Sequence, residues 1–198
     1  MDAAKIVSKI SKEHGIIKNV YFLACGGSLV DLYPGYYFVR VESAVMDAQW
    51  IPAREFALTP PKKLGKDSLL IICSHSGKTK ECLEAAKVGM DAGAAVVTMT
   101  HAPGSPCDCE EWISVVYDWA PGVKEAQKPQ GIVLGILNEL MKAQEPGYTL
   151  YNSIKEGFEK IDDIIAEAVK KQQNSAWLFA EKYYEEPNLY IMASGASY

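Results

Sequence analysis

No run of apolar residues in this chain approaches the ~20 that a membrane-crossing helix needs. No basic stripe offsets a formal net charge of −5 over 198 residues, so nucleic acid and anionic membrane surfaces are not expected partners. The opening Met1-Asp2-Ala3-Ala4-Lys5 carries no apolar signal-peptide core. Histidine is scarce at 3 residues, and cysteine amounts to 5. Cys107 and Cys109 form a C-x-C pair, but no second pair and no histidine at ligand spacing completes a metal site. Cys25 and Cys73 end apolar runs and Cys82 sits in a helical pattern, so an odd set of free thiols in a reducing compartment is expected. These absences together predict a cytoplasmic protein.

One further absence concerns nucleotides. Gly77-Lys78-Thr79 matches the tail of a P-loop, yet the first glycine of that motif would fall at position 72, where Ile stands. The following apolar run, Ala95 to Thr100, has no Asp to hold magnesium.

What is present is a globular composition, 48% hydrophobic and 23% charged, enough for one substantial core. The patterning predicts a helix from Ala3 to Glu13 ending at Gly15, then a strand from Asn19 to Cys25. Gly26-Gly27-Ser28 turns into a second helix, interrupted at Pro34-Gly35 and resumed through Tyr36–Val39. A short strand is expected over Ala44–Asp47 and a short helix over Pro52–Ala57. Strands follow at Ser68–Cys73, Ala94–Thr100 and Glu111–Asp118, with helices at Thr79–Ala92 and Gln130–Gln144. Alternation of this kind predicts a doubly wound α/β layer around a parallel sheet. From Ile154 to Tyr184, apolar residues at helical spacing predict a long helix, or two breaking near Gln173-Asn174-Ser175, with a core-packing face. A last strand is expected over Asn188–Ala193. With Ser194-Gly195-Ala196-Ser197 after it, it echoes the strand and turn at 20–28 and reads as the opening of a second copy of the same domain.

The six residues Ser74-His75-Ser76-Gly77-Lys78-Thr79 carry most of the functional signal. They lie between a buried strand and a helix start. Unpaired N–H groups and the helix dipole make such a turn an anion site, and the hydroxyls add donors. A phosphorylated small molecule is the expected ligand; a plain capped helix is the alternative. His101, at a strand end, is expected in the same crevice, and His14 on the surface of the first helix.

Taken together, these residues resemble a sugar isomerase (SIS) domain. Ala24-Cys25-Gly26-Gly27-Ser28 stands where that family has a strand-G-x-G-x-S-type turn. Ser74 to Thr79 stands where it has S-x-S-G-x-T. Thr100-His101 with Ser105-Pro106 also fits, and Ala53-Arg54-Glu55-Phe56 is similar to the family's S-E-F stretch. The match spans residues 19 to 145. Within the family the pattern is most similar to the fructosamine 6-phosphate deglycases, through Tyr21–Ser28, Tyr33–Phe38 and Trp50–Phe56. The isomerase half of glucosamine 6-phosphate synthase is less similar: its V-A-S-T-K loop is replaced here by Val123-Lys124-Glu125-Ala126-Gln127-Lys128.

The resemblance implies a three-layer αβα SIS domain at residues 19–148. It would be preceded by a helix at 1–18 and followed by linker helices at 149–186 and the start of a truncated second SIS domain at 187–198. It implies that Ser74, Ser76 and Thr79 bind the phosphate with help from Ser28, with Gly26, Gly27, His75, Gly77, Lys78 and His101 as neighbours. The family often has Gln where this chain has His75. The implied reaction splits a fructosamine 6-phosphate into glucose 6-phosphate and an amino acid, by proton transfer and imine hydrolysis, with no metal or organic cofactor. Its catalytic Glu and His are expected in the second SIS domain, beyond residue 198. Glu55 and Glu125 are possible site neighbours, more readily explained as structural or surface residues. An aldose–ketose phosphosugar isomerase and a non-catalytic sugar-phosphate sensor are the alternatives. SIS domains usually pair, so a homodimer or larger is expected, with Trp177 and Phe179 at an interface.

Overall fold

Three strands of this protein have no exposed face. Every residue of β1 (Asn19–Ala24), β3 (Ser68–Cys73) and β4 (Ala95–Thr100) is buried, as expected of parallel strands covered on both sides. The computed structural model describes residues 2–190 and residue 192. In it, β2 (Asp47–Pro52) and β5 (Ile113–Val116) complete a five-stranded sheet of order β2-β1-β3-β4-β5. All pairs are parallel, with Ala24 opposite Cys73 and Cys73 opposite Met99.

Two helical layers cover the sheet. On one face α1 (Ala3–His14), α3 (Tyr33–Glu42) and α6 (Pro129–Gln144) bury Ile6, Ile10, Val39, Val133 and Leu137 against Phe22, Ile71 and Val97. On the other, α4 (Ala53–Leu58) and α5 (Lys80–Asp91) bury Phe56, Cys82 and Ala85 against Tyr21, Leu23, Leu70 and Ile72. Local chemistry sets the helix ends. The Asp2 carboxylate accepts from the Ala4 N–H at the start of α1, and Gly15, at φ 74°, ends it. Gly35 is fixed by packing: a Cβ there would overlap Val133 of α6 and crowd Phe22 of β1. Among the described residues, no helix is long and apolar enough to cross a membrane.

Several boundaries differ from expectation. The edge strand β2 lies at Asp47–Pro52 rather than Ala44–Asp47. Its half-exposed alternation, with Trp50 opposite Phe22, hides the strand from a search for continuous apolar runs. The helix after Gly26 breaks at Leu32, ahead of Pro34, leaving α2 (Gly27–Asp31) and a fresh start at Tyr33. Proline is tolerated in a first turn, so Pro34 opens α3 instead of interrupting it. β5 is shorter than the Glu111–Asp118 expected.

The C-terminal helix α7 (Tyr151–Tyr183) is unbroken through Gln173-Asn174-Ser175; no Gly or Pro interrupts it there. It also corrects the expected core-packing face. No α7 residue is buried, and Ile164, Val169, Trp177, Leu178 and Phe179 are exposed. Residues 188–190 and 192 form no strand, and the other positions of the strand expected there, with the turn after it, lie outside the described residues.

Gly35→Ala should lower stability by about 1–3 kcal/mol, the usual overpacking cost, despite alanine's better helix propensity; urea unfolding checks this. A second expectation concerns alkali. Burial pushes the Cys73 thiol from 9.0 to about 12 and the Cys107 thiol from 9.0 to about 11. Between those values the folded state holds protons that the unfolded chain has released, so stability falls as pH rises. The thermal midpoint should therefore decline above about pH 9, and less steeply in Cys107→Ala. An equal decline in both proteins would remove the thiol as its cause.

Candidate functional site

β3 delivers the chain to Ser74, whose N–H donates to the Met99 carbonyl at 2.9 Å. The Gly77 N–H then donates back to the Ser74 carbonyl at 2.9 Å and closes a tight turn. Gly77 has φ 64°, and a Cβ there would strike the Ser105 side chain and the Thr100 hydroxyl. Only glycine fits on both counts. The loop after β4 holds the turn from outside. The Cys107 N–H donates to the Gly77 carbonyl (3.0 Å), while the His101 N–H and the Thr100 hydroxyl donate to the His75 carbonyl (3.2 and 3.3 Å).

Thr79 is the N-cap of α5, but its side chain makes no cap bond. Its hydroxyl is hydrogen-bonded to the Ser74 hydroxyl instead, at 2.8 Å. The first amides of α5 are therefore left without a side-chain acceptor, at the positive end of a 12-residue helix. Ser76 and Lys78 are exposed, Thr79 is half-buried, and Ser74 is buried. The Ser76 hydroxyl accepts from the Lys78 N–H at 3.3 Å.

The register that puts Ala24 opposite Cys73 brings the first turn alongside. Gly26 is the N-cap of α2 at φ 59°, and Gly27 and Ser28 begin that helix. Ser28 is half-buried and lies near the Cys73 thiol.

His75 leaves the turn in another direction. Its Nδ1 lies 3.0 Å from the Tyr117 hydroxyl. Its ring stacks on His101 at 4.9 Å and 16° and meets Trp119 edge-on at 5.8 Å. His101 Nδ1 lies 3.1 Å from the Tyr117 carbonyl. A carbonyl can only accept, so Nδ1 carries a proton and, in the neutral ring, Nε2 is the acceptor. Burial pushes the Tyr117 phenol up, so it stays an O–H.

The sequence-predicted residues thus gather at the carboxyl edge of β1, β3 and β4. Glu55 is exposed on α4, and Glu125 pairs with Lys128 in its own short turn. His14, expected at the surface, is half-buried. Among the described residues no cluster of His, Cys, Asp or Glu could hold a metal ion.

Sequence reasoning missed Tyr117, Trp119, Asp31 and Gln130. Asp31 falls one helical turn after Ser28, and its carboxylate accepts from the Gln130 amide at 2.7 Å. Burial pushes its carboxyl up, and the nearby His75 pulls it partly back. The three-residue spacing from Ser28 was a usable signal for Asp31. Tyr117 and Trp119 follow an edge strand and carried none.

No family model matches the chain. It is 34% identical over 182 residues to fructosamine deglycase FrlB of Bacillus subtilis (strain 168), covering 92% of this chain and 55% of that protein. A solved Salmonella typhimurium LT2 protein, assigned as a phosphosugar isomerase, superposes with a TM-score of 0.89 at 33% identity, over 98% of this chain and 58% of that one. A Bacillus subtilis structure assigned the same way gives 0.88 at 32% identity, over 98% and 61%. The chain thus spans little more than half the length of these relatives. The sheet order, the two adjoining turns and these likenesses together place the chain in the sugar isomerase (SIS) domain family.

Proposed function

We propose that this chain binds the phosphate of a sugar 6-phosphate on the Ser74–Thr79 turn, as the phosphosugar-binding part of a fructosamine 6-phosphate deglycase. The observation that carries the proposal is the hydroxyl pair Ser74–Thr79. A threonine that would normally cap α5 is turned onto Ser74, and the helix start is left to an outside acceptor. Ser76 and Thr79 are the hydroxyl donors to the phosphate, with Ser28 reaching it from the neighbouring turn and Ser74 orienting Thr79.

This chain's residues would anchor the substrate, so that binding energy holds the sugar carbons in place for proton transfer. His75, His101 and Tyr117 lie beyond the phosphate, along the carbon chain. The deglycase reading draws support from the 34% identity to fructosamine deglycase FrlB. An aldose–ketose phosphosugar isomerase is the second reading, favoured by the assignment of both solved relatives. The domain division at residue 148, a homodimeric or larger assembly and a cytoplasmic location belong to the same proposal.

Calorimetric titration with glucose 6-phosphate and fructose-lysine 6-phosphate tests the turn. Ser76→Ala should weaken both by about tenfold or more, the effect of losing a hydrogen bond to a charged group. Equal affinity in the variant would reduce the turn to a helix start without a ligand. Gly77→Ala should abolish binding and lower stability by about 1–2 kcal/mol or more, since it adds a left-handed alanine to a clash with Ser105. Retained binding in a folded Gly77→Ala protein would show that the turn's tight shape is not required.

A further inference from the structure

We propose that a cavity beside the phosphate turn takes an apolar substituent carried by the sugar phosphate. This rests on the phosphosugar reading above and narrows its substrate class to ketosamine 6-phosphates whose amine bears a hydrocarbon side chain. The cavity has a volume of about 530 Å³ and is bounded by α1, β5, α6 and α7. Ile6, Val115, Ile136 and Phe158 line it, and so does Tyr117. Tyr117 is the residue whose hydroxyl meets His75 of the turn at 3.0 Å. One side chain therefore joins the anion site to the apolar space.

Position and size both suit a ligand's far end. Tyr117 and Asp118 follow β5 at its carboxyl end, the edge of the sheet on which the Ser74 turn lies. Ligands of open α/β sheets collect along that edge, and the volume falls within the range of small-molecule sites. The space is a cleft open to solvent, and apolar lining left wet in this way gains from being covered by a ligand. Here the space is kept open by glycine. A Cβ at Gly135 of α6, another residue of the lining, would meet only the Ala3 Cβ, at 3.9 Å.

The lining is mainly apolar, with Asp118, Gln127 and the Tyr117 hydroxyl as its polar side-chain groups. A lysine-type substituent joined through its ε-amine would bring both its α-ammonium and its α-carboxylate into this space and shed water from each. A branched hydrocarbon loses no hydrogen bond on entry and gains apolar contact.

Titration of the 198-residue chain with fructose 6-phosphate and with the ketosamine 6-phosphates of glycine, leucine and lysine (through its ε-amine) tests the proposal. The leucine conjugate should bind about tenfold or more tightly than the glycine and lysine conjugates, the scale of burying one leucine side chain. Gly135→Leu, which fills the cavity from a helix that favours leucine, should remove that advantage while leaving fructose 6-phosphate affinity and the far-UV spectrum unchanged. Ile132→Phe, a smaller intrusion from the same helix, should act in the same direction. Equal binding of the glycine and leucine conjugates, in a chain that binds fructose 6-phosphate, would overturn the cavity's role and leave the phosphate turn standing. Failure of every sugar phosphate to bind would overturn both.

Discussion

The site depends first on how β1 and β3 pair. They run parallel with Ala24 opposite Cys73, so two chain segments leave the sheet at the same level and on the same edge. Everything placed at that edge, from Gly26 and Ser28 to Ser74 and Thr79, inherits its position from this register. Parallel pairing also demands that both faces be covered, since the ladder strands are buried throughout and mostly apolar. The two helical layers follow from that demand, and the two turns leave the sheet at the carboxyl ends of the central strands. A shift of one residue would turn Phe22 and Ile71 from the α6 face to the α5 face and separate the two turns.

The second layer of control is the loop after β4. It carries no regular structure, yet it donates to the carbonyls of both His75 and Gly77. The turn is therefore clamped through its carbonyls, while its Ser74, Gly77 and Lys78 N–H groups donate to Met99, Ser74 and Ser76. Asp108 fixes this loop in turn, accepting from the Gly104 N–H and the Ser114 hydroxyl, which holds its carboxyl below the usual range. Asp108 is half-buried, and its part in this arrangement is to fix the geometry of the loop.

The sheet and the Ser74–Thr79 turn were legible because they rest on local signals. Continuous apolar runs mark β1, β3 and β4, and hydroxyl-rich turns mark their ends. What stayed hidden depends on distance in sequence. Tyr117 reaches His75 across 42 residues, and Gln130 reaches Asp31 across 99; neither pairing leaves a spacing to read. β2 was misplaced because an edge strand with one wet face lacks the apolar run of its neighbours. In α7 the periodicity was read correctly as helix, but the face it predicts is not covered within the described residues. Periodicity reports that a stripe is apolar and says nothing of what covers it.

The electrostatics of the edge follow from the same economy. The protein is acidic, at −5, yet the features proposed to meet an anion are neutral donors: hydroxyls, turn amides and a helix start. Lys78 is the turn's one full cation, and it is exposed, where solvent screens it. Helix-end amides act within a single turn of helix and do not rely on a long-range field, so the net charge of the protein does not prevent an anion from settling there. Glu81 in the first turn of α5 and the half-buried Asp31 are the acidic groups described near this edge; burial pushes the Asp31 carboxyl up, and His75 pulls it partly back. Under the proposed reading, an acidic domain would hold a dianion by shape and donor geometry rather than by net charge.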